Sequence, residues 1–409
     1  MDFAAVHDEP PMVSLSPVRD PSDLRLDAAV DPASFVDDWR ALERDGLVAP
    51  FQTFAWVETW IAAGAVPAGA RPLVLRLRRG DATVGLLPLV VERTGPLAVA
   101  RRLGGNHASY FVGAWADAAL AGLDPARLAA AFRAFARAEG IDAFALDAVP
   151  ATWGDRPNPL AALGRARPSL DDGHAFRLAA SFEALLAGRN AAHKRKKLKA
   201  KERLLAAAGG VRVAVAATPA EVEAVLAAFF AQKAASLAAR GLDDPFAAPA
   251  VKDAFRRLAL ASLGADAPLL ELTRLEAGGR IRAVIGAAPH RGRLYALFAS
   301  HADDELARAS PGETLFFRHI EAACGRGFAV YDMGVGRERY KESWCDERVA
   351  LHDLRLPVGV LGRLFVGVEA VLGWTKSAIR RNRRFWEVVR RWRARIVGRS
   401  AGQGGRDDA

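Results

Sequence analysis

Cysteine is almost missing from this chain: Cys324 and Cys345 are the two among 409 residues. Two cysteines build neither a disulfide framework nor a cysteine-rich zinc site, and they fit a reducing, cytoplasmic setting. No run of about 18 uncharged apolar residues occurs, so no segment reads as a membrane span. The opening residues, Met1-Asp2-Phe3 and then His7-Asp8-Glu9-Pro10-Pro11, lack the basic and apolar regions of a secretory signal. The histidines show no paired ligand spacing, and no metal is expected. Hydrophobic residues make up 51% and charged residues 25%, which excludes a disordered chain. Single cores stop growing near ~250–300 residues, so this length suits two.

Charge of one sign is present but clustered. The formal net charge is +10, yet Arg189 to Arg203 (RNAAHKRKKLKAKER) contributes +7 and Lys376 to Arg399 contributes +9. The rest of the chain is left near −6, so the high pI is no footprint of a nucleic acid on the whole body. The basic helix carries no interleaved aromatic residue, and nucleic acid is not the favoured partner.

Periodicity divides the chain into a loose lead-in over 1–30, a first unit over 31–172, a second over 173–356 and a tail over 357–409. In the first unit, Asp31-Pro32-Ala33-Ser34 opens a helix with Phe35, Trp39 and Leu42 on one face. Trp56 and Trp60 share a second helical face. Residues 72–78 and 82–92 read as strands about a Gly80-Asp81 turn, followed by a helix over 126–139 and a strand over 141–148. The proline-rich stretch 150–172 reads as an interdomain linker. In the second unit a basic helix near 181–208 precedes a strand at 211–215. Thr218-Pro219-Ala220-Glu221 is a capping box that starts the next helix. A helix over about 249–262, a meander of strands at 268–276, 280–289 and 293–300, a helix begun by Ser310-Pro311-Gly312 and a strand at 328–332 follow.

A helix start leaves backbone N–H groups unpaired and attracts phosphate, so Ser310, Pro311 and Gly312, with Arg308 beside them, form a candidate anion site. The same segment also serves as an ordinary helix start. The run from Gly279 to Trp344 joins a glycine turn, two strands, the Ser-Pro-Gly start, Tyr331-Asp332 and Tyr340-Lys341. In that order it resembles the C-terminal half of GNAT acetyltransferases of the CelD-like, FemABX-related group. The Gly-Val-Arg-Val strand and the early FQTFAW segment resemble it too. The resemblance implies an α/β (α+β) fold of tandem GNAT-like domains, each a mixed, largely antiparallel twisted sheet flanked by helices. It also implies an acyltransferase that takes acetyl-CoA or another acyl-CoA as co-substrate. The stricter Arg-x-x-Gly-x-Gly/Ala pattern is not met around Arg308.

Carried onto this chain, the resemblance makes Lys341 a stabiliser of the transferring acyl group, a role that suits a cation beside a developing oxyanion. Asp332 becomes a candidate general base, or else a carboxylate paired with Arg337 or Arg339. Tyr340 is a candidate proton donor to the leaving thiolate. His107 and Tyr110, in GGNHASY, fall where relatives carry acceptor-binding residues, although Ser109 replaces their aspartate. The acceptor is a small molecule or saccharide, with a sugar or cell-envelope precursor favoured. The alternatives are a ligase fed by aminoacyl-tRNA and a non-catalytic assembly factor. In the tail, Phe385, Val389, Trp392 and Ile396 stand on one face among arginines, which suits an anionic membrane surface as well as a helix packed on the body.

Overall fold

A computed structural model of the chain describes residues 24–187, 189, 191–336, 341 and 344–381. The first unit runs β1 (Leu24–Ala29), α1 (Val36–Asp45), α2 (Phe54–Ala62), β2 (Arg71–Arg79), β3 (Ala82–Thr94), β4 (Leu97–Arg102), α3 (Pro125–Ala138) and β5 (Ala143–Pro150). β1 lies within the stretch expected to be a loose lead-in. Its alternation of Leu24, Leu26 and Ala28 pairs it with β2, and Asp27 closes a two-pronged ion pair with Arg76 at 2.6 and 2.8 Å. Asp124 caps α3 by accepting from the amides of Ala126 and Arg127, with Pro125 supplying the preset first turn.

The second unit runs β6 (Gly173–Arg177), α4 (Ala191–Ala206), β7 (Val211–Val215), α5 (Pro219–Ala238), α6 (Pro249–Ala261), β8 (Glu271–Ala277), β9 (Arg280–His290), β10 (Arg293–His301), α7 (Pro311–Gly325) and β11 (Val330–Val335). The single basic helix expected over 181–208 is two, Phe182–Ala187 and α4. At the start of α5 the Thr218 hydroxyl accepts from Glu221 N, and the Glu221 carboxylate accepts from Ala217 N at 2.8 Å. β12 (Leu351–Pro357) and α8 (Val360–Arg381) close the described chain.

The two sheets repeat one plan. The first has the order β1-β2-β3-β4-β5-β12 and the second β7-β8-β9-β10-β11-β6. In each, an antiparallel meander is followed by a helix and then by a strand parallel to the meander's last, β4 with β5 and β10 with β11. The outer partner of that parallel strand is β6 in the second sheet, from the start of the same unit, and β12 in the first sheet, from the end of the second unit. The reading of 173–356 as one unit therefore divides in space, because 351–357 belongs to the first sheet. The stretch 150–172 is not a free linker either: Arg165–Pro168 forms the edge beside β12. One apolar core joins the first sheet to α5 and α6, and a second lies under α4 and α7.

Candidate active site

Parallel pairing of β10 and β11 lasts for three residues, from Arg293 opposite Val330 to Tyr295 opposite Asp332. Beyond it the strands part. The cause lies in β10, where the register with β9 jumps from Ala287–Ala296 to Gly286–Phe298 and leaves Leu297 as a bulge. A bulge bends its strand and sharpens the twist, and here it carries β10 away from β11. Gly286 permits this, because a Cβ there would lie 2.1 Å from the Phe298 ring.

The wedge so opened is a cavity of about 320 Å³. β10 supplies Ala296 to Ala299, β11 supplies Met333, Gly334 and Val335, and Lys233 and Phe316 come from α5 and α7. The first unit closes it with Arg102, Asn106, Ala108, Ser109 and Ala148. Lys341 completes the wall; it is buried, and its ammonium donates to the carbonyls of Val335 at 3.0 Å and Gly334 at 3.5 Å. Gly334 holds φ 70°, and a Cβ there would press on the Ala296 carbonyl at 3.3 Å. Among the described lining residues there are three cations and neither a carboxylate nor an imidazole. Burial lowers the pKa of Arg102 from the ordinary arginine value, against the pull of Asp147 and Asp353.

Asp332 sits at the apex of the wedge, fully buried, and is not among the residues that line it. One oxygen accepts from the Tyr110 hydroxyl at 2.9 Å and the Gly334 amide at 2.8 Å; the other accepts from Arg293 at 2.9 Å. Burial pushes its carboxyl up from the ordinary value while Arg293, the Gly334 amide and Tyr110 pull it back. Arg293 had no signal in the sequence beyond a place after a glycine turn. Arg337 and Arg339, the partners considered for Asp332, lie outside the described residues, as does Tyr340.

Tyr110 therefore ties the first unit to the floor of the site rather than facing the cavity, and Gly173 makes room for it. A Cβ at Gly173 would stand 2.4 Å from the Tyr110 oxygen. Gly173→Ala is expected to break the Tyr110–Asp332 bond and cost about 1–3 kcal/mol, read as a lower urea midpoint. Gly173→Ala combined with Tyr110→Phe should recover part of that loss, and no recovery would place the strain elsewhere. His107 packs among Trp60, Phe246 and Phe255, with ring centroids 5.0 to 5.7 Å away, and lines neither cavity. Burial brings its pKa down to about 4, so it joins α2 to α6 as a neutral ring.

The anion site expected at the start of α7 abuts the end of β10, where a Cβ added to Gly312 would stand 3.4 Å from His301. Ser310 is left-handed at φ 50° and gives no side-chain cap, so its hydroxyl does not claim the first-turn amides. Pro311 has no N–H, which leaves Gly312 and Glu313 as donors. The Glu313 carboxylate is answered by Lys197 at 3.0 Å and by Lys201, both from α4. Arg308 is exposed and makes no ion pair among the described residues. Neither Arg308 nor any residue of Ser310–Glu313 lines the wedge, to which α7 contributes Phe316.

Residues 192–342, from α4 to just past Lys341, match the family described as acetyltransferase (GNAT) domain. The chain resembles in fold the C-terminal domain of a putative lysylphosphatidylglycerol synthetase from Agrobacterium fabrum, with a TM-score of 0.51 at 12% identity over 85% of this chain and 96% of that one. It also resembles FemX, with a TM-score of 0.52 at 12% identity over 84% of this chain and all of that one (100%). No curated protein sequence matches. At such identities the likeness to the solved structures is one of fold, a mixed α/β chain, and the match to the acetyltransferase (GNAT) domain is confined to residues 192–342.

Proposed function

We propose that this protein transfers an acyl group from acyl-CoA to an amine or hydroxyl acceptor held between its two units. The observation that carries the reading is the wedge between β10 and β11, with the buried Lys341 ammonium on its wall. The nucleophile's nitrogen or oxygen bonds to the acyl carbon as the carbon–sulfur bond breaks. The proton lost by the nucleophile balances the one the thiolate takes. The carbonyl oxygen gains charge on the way, and a cation fixed by two backbone carbonyls stabilises it without reorganising. Arg102 and Lys233 add positive potential to the same wall. Asp332 does not line the wedge and acts as a positioning residue: it holds the Gly334 amide, and so the strand end on which Lys341 rests. The amides of Gly312 and Glu313, with Arg308, would hold the pyrophosphate of the donor. A sugar or cell-envelope precursor is the favoured acceptor.

A second reading has an observation of its own. Arg195, Lys196, Lys199 and Arg203 are exposed on α4, which packs on α7 beside the wedge. Such a face suits the phosphates of an aminoacyl-tRNA donor. Calorimetry with acetyl-CoA, longer acyl-CoAs and aminoacyl-tRNA in parallel separates the two. Binding of an acyl-CoA is expected, and Gly312→Leu should weaken it at least about tenfold by covering the amides. A Cβ at Gly312 meets His301 at ordinary contact distance, so the melting temperature should hold. Heat from aminoacyl-tRNA alone would move the donor to the second reading. No heat from any of them would leave an assembly factor on a GNAT fold.

A further inference from the structure

Helix α8 buries one narrow side against the first sheet. Gly362 passes so close to the Asp142 carbonyl that no Cβ would fit, Val366 is buried, and Glu369 pairs with Arg355 and Arg101. The opposite side is apolar and open. Val360, Leu364, Val368, Val371 and Trp374 stand one turn apart along it and are 59% to 72% exposed. No large apolar side chain outside α8 exceeds 48% among the described residues. Spacings of three and four put these five on one helix face, a continuous stripe that folded proteins seldom leave in water. The stripe leads directly into the most basic part of the sequence, Lys376 to Arg399, with its net charge of +9.

We propose that α8 docks in the plane of an anionic phospholipid bilayer, its open face among the acyl chains and the basic segment on the lipid phosphates. No described helix is long and apolar enough to cross a membrane, which leaves a helix lying in the interface. Apolar burial and basic attraction are the two signals that together hold a protein on such a surface. Charge selects the occupant. Two copies meeting face to face would bring two +9 segments together, whereas an anionic bilayer answers both the stripe and the charge. On β4, Arg101 contacts α8 while the next residue, Arg102, lines the wedge, so one sheet separates the docked helix from the cavity. The proposal stands whether or not the chain transfers acyl groups.

Co-sedimentation of the full chain with phosphatidylglycerol-containing vesicles, and with phosphatidylcholine vesicles, tests it. The chain should pellet with the first and not the second, less so as salt is raised. Leu364→Glu, Val368→Glu and Val371→Glu together should lower the partition at least about tenfold while leaving the melting temperature unchanged, since all three side chains are exposed. Removing residues 382–409 should weaken binding as well. Equal pelleting with both vesicle types, or unchanged pelleting of the triple variant, would overturn the proposal. So would a dimer in solution that the triple variant dissociates, or stronger binding without residues 382–409, which would show the stripe covered by a second copy or by the chain's own end.

Discussion

Lys341→Met is expected to lower kcat roughly 10²–10³-fold with little change in donor affinity, the loss that follows removal of one oxyanion donor. The lysine is a buried cation that donates to two backbone carbonyls, at 3.0 and 3.5 Å, at the parting of β10 and β11. Its charge matters most as the carbonyl oxygen becomes an oxyanion, so kcat should fall and KM should stay. Methionine keeps the length and apolar stem, and the carbonyls it releases lie at the cavity, where water reaches them. Steady-state kinetics with the acyl-CoA that binds in calorimetry, beside a thermal melt, make the measurement. An unchanged kcat would hand the oxyanion to Arg102 or Lys233, which share the wall. Lys341→Arg should recover little, because a planar guanidinium cannot take the position of a compact ammonium.

Much of the second unit was legible because its signals are local. The capping box at Thr218, the glycine turns at Gly278-Gly279 and Arg291-Gly292, and the helix start at Pro311 each fix backbone geometry within four residues. The crossing of β12 from the second unit to the first sheet was not legible. Leu351 to Pro357 alternates like any strand, and which sheet takes it depends on β5, some two hundred residues away. The same distance hid the floor of the site. Tyr110 was singled out for an acceptor, but its hydroxyl turns to Asp332 because Gly173 clears the space, and no spacing in sequence announces that contact. Arg293 was missed for the same reason. His107 read as a polar residue in a glycine loop, whereas the aromatic rings that enclose it come from α2, α6 and the segment before α6. Lys341 was singled out through its place in an ordered motif, and the structure puts it, buried, on the wedge wall.

Acidification between pH 6.5 and 4 is expected to unfold this protein, and histidines set the window. Burial carries His107, His290 and His319 from an ordinary 6.5 down to about 4. His107 also feels Arg102 against Asp244, His290 feels Arg291, and His319 feels Arg326. His290 donates its Nε2–H to the Val48 carbonyl at 3.2 Å across the units, and His319 meets the Tyr331 hydroxyl at 2.7 Å under the site. Below pH 6.5 the unfolded chain takes up protons that the folded chain refuses until about pH 4. The stability that comes from keeping these rings neutral is therefore complete above 6.5 and drains away as the pH falls towards 4. At pH 5 each fully buried ring accounts for about 2 kcal/mol, His107 and His290 for somewhat less because they are partly exposed. Together they come to about 5 kcal/mol, the lower end of the roughly 5–15 kcal/mol that an ordinary domain has. Asp332, raised by burial, works in the opposite direction, but it is one group against three. Carboxylates held low, such as Glu221 and Glu313, come into play only in stronger acid. Urea midpoints at pH 7.5, 6 and 5 should fall steeply, and His107→Leu should flatten that fall by one histidine's share. A midpoint that does not move between pH 7.5 and 5 would mean the three rings take their protons in the folded state, with the joint between the units open to water.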